Sequence, residues 1–521
     1  MIAGCLARLW AASGIFLNSD EALHFRLANQ PSLALAYKAS LTAAHPPLLI
    51  LLLHYWRVLG TSDLWLRLPS VLAGAAFCWM FYKWLANAAG QMAGFIGLLF
   101  IAFLPPIVLL FAEVRQYPLL LAFLASALYF LDEAFAKNSL WRMAASSLFL
   151  YLAMLVHYSA FLFAVALGIY ALIRIAASRP IARVSAAWAA SQLGVLLLAL
   201  FLYQTHLSKL NDAGSGTALQ GWVNEYYLRR SVFDPAHDNP VIFLVGHTFG
   251  VFQYFFGQLA VGIVMGVFFS VGVALLFWQK TFAANQRLGT IVRRTEVPSQ
   301  LLGTFLLLPF AIASLASLAH KYPYGGTRHL AFLIIPGIAG VSIAIARLAA
   351  CRWGRAIGMT AVVLVACVAF GKLRQPRMDR ANQSEKNMTA AIQFIRQNVS
   401  PLDLIFTDYQ TDLILGHYLC NQRPIAIQPS PEDFEQFSCA GHEIVSTDYK
   451  TAWMFSAEDF PTEWLRLVKS YNLKPGDSVW IIEAGWGVDH SEDLRSRLLQ
   501  VPGQQLESFG KSIKIFRRSL Q

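Results

Sequence analysis

WRMAASSLFLYLAMLVHYSAFLFAVALGIYALI, residues 141–173, decides the architecture. A helix crossing the hydrocarbon core needs about 20 apolar residues, so this run is too long for one crossing. Its polar midpoint, His157-Tyr158-Ser159, reads as a tight turn between two helices. Working outward, apolar segments fall at 1–17, 64–82, 92–112, 117–136, 141–157, 159–173, 185–203, 259–278, 301–319, 330–346 and 356–371. The chain therefore reads as a polytopic α-helical membrane protein with about 11 crossings. Composition agrees: 56% of the 521 residues are hydrophobic and 14% charged, against about 25% charged in soluble domains.

Two apolar stretches read differently. Residues 48–59 are short and carry His54 and Arg57, which suits a helix lying in the interface. Residues 241–258 hold His247, Gln253, Tyr254 and Gln258 among aromatics and read the same way. The first segment, Ile2 to Leu17, is interrupted by Arg8 and falls short of a full span. It reads as a tilted first helix with a truncated start, or as the product of a late start codon. No small-residue cleavage site precedes residue 20, which argues against a cleaved signal peptide.

Charge sets the orientation. One set of loops carries Lys83; Lys137 and Arg142; Arg174, Arg179 and Arg183; Lys280, Arg287, Arg293 and Arg294; Arg347, Arg352 and Arg355. The opposite set is poorer in Lys and Arg per residue, so the first set faces the cytosol. The formal net charge of +11 is explained by these loops and by anionic lipid, and nucleic acid is set aside as a partner. The first polar loop (18–63), Glu113, the 157–159 turn and the loop 204–240 then share the outer face.

After Phe370 the composition changes. Residues 372–521 carry charge throughout and no candidate span. Asp403–Asp408, Ser478–Glu483 and Ser512–Phe516 read as strands and Leu413–Leu419 as a helix, which makes a small α/β domain outside the membrane. The basic run Lys372, Arg374, Arg377 and Arg380 would break the positive-inside trend there. Cys420 and Cys439 both fall in this domain, where an oxidising compartment would allow a disulfide.

The polar residues of the outer face are the candidates for chemistry. Asp20 and Glu21 stand adjacent, about 100° apart if helical, so they cannot serve one atom equally. Either they cap the helix from Ala22 onward, or one of them faces a cavity as a general base. His45-Pro46-Pro47 is a helix-free turn whose imidazole could meet a lipid phosphate, or simply a lead into the helix at 48–59. Arg115, in Glu113-Val-Arg115-Gln-Tyr117, could clamp a phosphate in bidentate fashion, or pair with Glu113 to hold the turn. His157 and Tyr158 could be an interfacial belt. Arg328, in Lys321-Tyr-Pro-Tyr-Gly-Gly-Thr-Arg-His329, could hold an anionic head group or snorkel. No phosphate-binding glycine loop, dinucleotide fingerprint, nucleophile elbow or zinc motif is present. An activated donor would therefore have to arrive on lipid.

Taken in order, Ser19-Asp20-Glu21-Ala22, His45-Pro46-Pro47-Leu48, Leu66-Arg67-Leu68-Pro69-Ser70, Glu113-Val-Arg115-Gln-Tyr117, His157-Tyr158 and Thr327-Arg328-His329-Leu330 resemble the bacterial dolichyl-phosphate-mannose protein mannosyltransferase family. That family belongs to the C-type glycosyltransferase superfamily, as does the lipid A aminoarabinose transferase, and the resemblance covers roughly residues 10–350. It implies a transmembrane glycosyltransferase domain (1–371) and an extracytoplasmic α/β domain (372–521) in the inner membrane. The implied reaction is an inverting transfer of a sugar from a polyprenyl-phosphate donor to a glycan, lipid or protein acceptor. Asp20, with Glu21 beside it, would be catalytic. His45, Arg115 and Arg328 would bind the donor phosphate, and Glu113, Tyr117, His157, Tyr158 and His329 would contact substrate. No cofactor is required, although a divalent metal could sit at Asp20/Glu21 or Glu113. Departures from the family pattern include Arg328-His329 in place of Arg-Tyr, and Gln116 and Pro118 as neighbours of Tyr117. Rival readings are a transporter or flippase of lipid-linked sugars, for which no internal repeat is visible, and a non-catalytic lipid-binding assembly protein.

Overall fold

The computed structural model describes residues 1–178, 181–208, 228, 231–278, 297–350, 383–401, 403–420, 428–429, 434–448, 453–456, 460–486, 488 and 505–520. The expected crossing at 356–371, the basic run at 372–380, most of the 204–240 loop and the loop carrying Lys280 to Arg294 lie outside these residues.

Among the described residues seven helices are long and apolar enough to cross a membrane. They are α5 (Asp63–Ala89), α8 (Gln116–Lys137), α10 (Ser159–Ser178), α11 (Ala182–Leu202), α13 (Leu259–Trp278), α14 (Ser299–Leu318) and α15 (Ile334–Ala349), the last entered by a 3-10 turn at Arg328–Leu333. Shorter apolar helices are α1 (Ile2–Ala12), α6 (Gln91–Phe103), α9 (Leu140–Val156) and α12 (Pro240–Phe256). The protein is a multi-pass membrane protein. The 157–158 turn separates α9 from α10, as its polar residues predict.

Three features differ from the sequence expectation. The span read at 92–112 is two helices, α6 and α7 (Pro105–Leu110). Leu104 takes φ −64°, ψ 121°, the extended geometry that a following proline favours. Pro105 and Pro106 have no N–H to offer the carbonyls of Ile101 and Ala102. Arg8, the interruption in the first apolar segment, answers that loss: its Nη2 donates to Ile101 O (2.7 Å) and its Nη1 to Ala102 O (3.3 Å). Second, α12 is anchored in the bundle by Phe252, Phe255 and Phe256, all buried, rather than only resting on its surface. Third, Arg174 is not a loop charge. It lies inside α10, buried, and pairs with Asp132 of α8, which also accepts from Trp84 Nε1 (3.0 Å) and Tyr170 Oη (2.5 Å). A buried charge in a span is tolerated when it is saturated in this way.

The rest of the described chain is built from short helices α2 (Ser19–Ala28), α3 (Leu33–Ser40) and α4 (Leu48–Trp56) and from a seven-stranded mixed sheet. The strands are β1 (Leu404–Thr407), β2 (Gln428–Pro429), β3 (Glu435–Cys439), β4 (His442–Ser446), β5 (Ser478–Ala484), β6 (Gln505–Ser508) and β7 (Ile513–Ser519), in the order β2-β3-β4-β1-β5-β7-β6. The central three, β4, β1 and β5, are parallel. Helices α16 (Glu385–Asn398), α17 (Tyr409–Tyr418) and α18 (Phe460–Ser470) accompany the sheet. Cys420, just after α17, is disulfide-bonded to Cys439 at the end of β3.

The sheet docks directly on the membrane helices. Arg26 of α2 donates to Asp412 (2.7 Å) and Glu435 (2.9 Å). Burial opposes the Arg26 charge, and the two carboxylates outweigh it, so its pKa is raised. Leu17 N donates to the Tyr418 hydroxyl (2.7 Å), which donates to Asp63 Oδ2 (2.5 Å). The segment entering α2 also pairs with the one entering α16, through Phe16 N to Gln383 O (3.0 Å) and Glu385 N to Gly14 O (3.2 Å).

Candidate active site

Helix α2 starts at a capping box. Asn18 accepts from Glu21 N (3.0 Å), and Asn18 N donates to Glu21 Oε2 (3.0 Å). The box fixes the phase of the first turn, and with it the fates of the two carboxylates. Glu21 points inward and is fully buried. It receives Arg67 Nε (2.8 Å) and Nη2 (2.7 Å), Val114 N (2.8 Å) and Asn18 N. Arg67 gives its remaining donors to the carbonyls of Ala12, Ile15 and Phe16 (2.9, 2.9 and 3.1 Å). Three distant pieces of chain meet on this ion pair, and no acceptor site of Glu21 is left for a substrate. The expectation that Glu21 shares the chemistry is not what the geometry offers: it supports the loop that carries Asp20.

Asp20, one residue earlier, is partly exposed on the other side of the turn. Its Oδ2 is contacted by the Arg115 guanidinium and by Arg328 Nη2 at 3.1 Å. Arg115 stands at the N-cap position of α8, and Glu113 lies 3.4 Å from its Nε. Arg328 opens the 3-10 turn into α15 after Gly325-Gly326. A side chain at Gly326 would lie 2.4 Å from Gly250 O, so the loop reaches this depth only because the residue is glycine. One carboxylate and two guanidiniums, drawn from residues 20, 115 and 328, thus form a single polar cluster at the rim.

A wall of imidazoles adjoins the cluster. His45 stacks on His157 at 4.9 Å between ring centroids, and Tyr117 lies 5.1 Å from His157 on another side. His24, one turn beyond Asp20 on α2, holds Asp20 O through Nδ1 (2.6 Å). Burial and then Arg328 push His24 down to about 4. Burial, His329 and Arg328 push His157 down to about 3. Burial, then His157, His24, His329 and Arg328 hold His45 well below the ordinary value. These rings are neutral near pH 7. Ser159 N donates to His157 Nδ1 (3.0 Å), which assigns the ring proton to Nε2. That Nε2 is buried and has no partner among the described residues.

Tyr158 is the expected site residue that turns away. Its hydroxyl meets His206 Nδ1 (2.5 Å), and His206 Nε2 meets Ala43 O (2.8 Å). It braces the loop leading to His45 rather than lining the cluster. The other candidates, Asp20, Glu113, Arg115, Tyr117, His45, His157, Arg328 and His329, converge. Glu21 is saturated, Asp20 and Glu113 face guanidiniums, and among the described residues no three His, Cys, Asp or Glu side chains gather as metal ligands.

Sequence reasoning missed three contributors. His24 carried a signal, because it lies four residues after Asp20 and so on the same helical face. Arg67 was visible only as part of a motif without a role. Trp486, which follows β5, gave no signal. Its ring lies 5.9 Å from the Arg115 guanidinium carbon and 6.0 Å from that of Arg328, so the sheet domain reaches the cluster.

Residues 44–204 match the profile of the dolichyl-phosphate-mannose-protein mannosyltransferase family. The fold as a whole matches the crystal structure of ArnT from Cupriavidus metallidurans bound to undecaprenyl phosphate, with TM-score 0.52 and 12% identity over 99% of this chain and 96% of that one. The chain has the C-type glycosyltransferase fold. The apo structure of the same ArnT gives TM-score 0.51 and 10% identity over 98% of this chain and 96% of that one. The Archaeoglobus fulgidus oligosaccharyltransferase, in complex with Zn and sulfate, gives TM-score 0.54 and 13% identity over 96% of this chain and 69% of that one. No curated protein sequence matches the chain. The family resemblance read from the ordered motifs holds, and the mannosyltransferase-like segment contains His45, Arg67, Glu113, Arg115, Tyr117 and His157.

Proposed function

We propose that the protein transfers a sugar from a polyprenyl-phosphate carrier to an acceptor at the extracytoplasmic face, with Asp20 as the catalytic base. The observation that carries this reading is the grip of Arg115 and Arg328 on Asp20. Fold alone would not supply the activity, but this cluster has the parts the chemistry needs. Guanidiniums match phosphate oxygens in bidentate fashion. A donor phosphate entering between the helices draws Arg115 and Arg328 from Asp20 onto itself, and the carboxylate is left facing the acceptor. The acceptor hydroxyl or amine attacks the anomeric carbon opposite the phosphate. Its proton passes to Asp20, the bond from anomeric carbon to phosphate oxygen breaks, and the electron pair leaves on polyprenyl phosphate. His157 Nε2–H and the neighbouring imidazoles supply neutral donors to the same oxygens. The relative bound to undecaprenyl phosphate supports a lipid phosphate as the carrier. The disulfide between Cys420 and Cys439 and the basic loops of the opposite face support an outward-facing domain.

The test is sugar release from radiolabelled polyprenyl-phosphate-sugar in membranes, comparing wild type with Asp20→Asn. Loss of a general base costs about 10²–10⁴-fold, so turnover is expected to fall by at least a hundredfold at normal expression. Equal turnover in both proteins would remove Asp20 from the chemistry.

A further inference from the structure

Trp486 lies far from every motif above, yet its ring meets both guanidiniums of the cluster. Its position is built. The parallel strands β4, β1 and β5 end together, and ligands of such sheets gather at the carboxyl ends of the strands. Trp486 stands just past the end of β5. Gln410 of α17 clamps its main chain on both sides, donating Nε2 to Trp486 O (2.8 Å) and accepting from Trp486 N (3.2 Å) at Oε1. Gly485 before it has φ 111°, and a Cβ there would lie 3.0 Å from that same Gln410 oxygen. The tight turn and the amide clamp aim one indole at the rim of the membrane bundle.

We propose that Trp486 is the platform for the sugar ring of the donor, and that Gln410 is its positioning residue. The proposal rests on the donor-phosphate reading of Arg115 and Arg328. A phosphate held by those guanidiniums has the anomeric carbon one oxygen away, which brings the sugar ring beside the indole. The indole face carries the negative lobe of its quadrupole and attracts cations and the polarised C–H face of a pyranose alike. The sheet domain thereby recognises the group being transferred, while the membrane helices recognise the phosphate that carries it.

Binding of undecaprenyl phosphate and of undecaprenyl-phosphate-linked hexose, pentose and uronate donors would be measured on the full chain in nanodiscs. The proteins are wild type, Trp486→Ala, Trp486→Phe and Gln410→Ala. Trp486→Ala is expected to weaken at least one sugar-bearing donor roughly five- to tenfold while leaving undecaprenyl phosphate within about twofold. Trp486→Phe should restore most of the loss, and Gln410→Ala should show a smaller loss of the same selectivity. A loss equal for all the lipids, or no loss for any, overturns the proposal. Failure of wild type to bind undecaprenyl phosphate at all would instead sink the donor-phosphate reading, and the platform with it.

Discussion

Glu21→Gln separates the two members of the acidic pair. The wild-type carboxylate accepts four hydrogen bonds, two from Arg67 and two from main-chain N–H groups, in a site with no solvent exposure. The amide has the same shape but one acceptor oxygen. If that oxygen keeps Arg67 Nε and Val114 N, the NH₂ group faces two further donors, Arg67 Nη2 and Asn18 N. The Arg67 charge is then buried without a counter-charge. Removing one partner of a buried pair costs about 3–5 kcal/mol, a large part of the 5–15 kcal/mol that ordinarily holds a domain together. At about 2–4 °C per kcal/mol, the value for chains of 150–250 residues, the melting temperature should fall on the order of 10 °C, and somewhat less in a longer chain. Asp20→Asn, at a partly exposed site, should melt within a few degrees of wild type. The assay is thermal unfolding in a fixed detergent and lipid mixture, paired with turnover per folded molecule. A double variant, Glu21→Gln with Arg67→Met, removes both charges and should recover about 2 kcal/mol or more relative to the sum of the single changes. Wild-type melting of Glu21→Gln combined with lost turnover would refute the reasoning, because Glu21 would then be acting on substrate.

Two further outcomes follow from the packing and the histidines. Arg8→Leu leaves the Ile101 and Ala102 carbonyls without the donors that Pro105 and Pro106 cannot supply. At about 1.5–3 kcal/mol per bond to a charged group it should destabilise by roughly 3 kcal/mol in the unfolding assay, and an unchanged midpoint would refute the compensation. His157 sits at about 3 in the folded chain against about 6.5 unfolded. Its contribution is therefore fully present above pH 6.5 and lost as the pH falls from there toward 3. His157→Gln should accordingly flatten the acid limb of a melting-temperature profile. The profile is read as a difference from wild type, so that Asp408 (about 6) and Glu435 (about 7) cancel. Their raised values give a slope of opposite sign, with stability lost as the pH rises. Parallel profiles for the two proteins would count against the neutral-histidine wall.

What the sequence could and could not disclose follows from the range of each interaction. The membrane helices are legible because hydropathy sums over about 20 neighbouring residues, and the 157–159 turn is legible because three polar residues interrupt an apolar run. The strands at Leu404, Ser478 and Ile513 are legible for the same local reason. The break at Leu104 was written in Pro105-Pro106 but masked by the surrounding apolarity. Arg26, Gln410 and Trp486 were illegible because their meaning lies in partners far along the chain: Gln410 clamps Trp486 from 76 residues away, and Arg26 becomes an anchor only when α17 and β3 dock beside it. Arg174 misled in the opposite direction. A charge near a helix end reads as a loop charge until Asp132 is seen facing it.

The acidic pair shows why a motif can be recognised before its roles can be divided. Asp20 and Glu21 have the same chemistry and adjacent positions, and nothing within a few residues breaks the tie. The tie is broken by the capping box, which fixes the phase of α2, and by Arg67, which lies 46 residues onward and saturates whichever carboxylate faces it. Once Glu21 is consumed inward, the 100° turn per residue carries Asp20 toward the rim, where Arg115 and Arg328 wait on separate helices. The inward carboxylate is saturated by fixed donors, while the outward one stays partly exposed between two guanidiniums that a bound anion could draw away. Under the proposed function such a site needs both acids, although the geometry leaves only Asp20 with an oxygen open to a substrate.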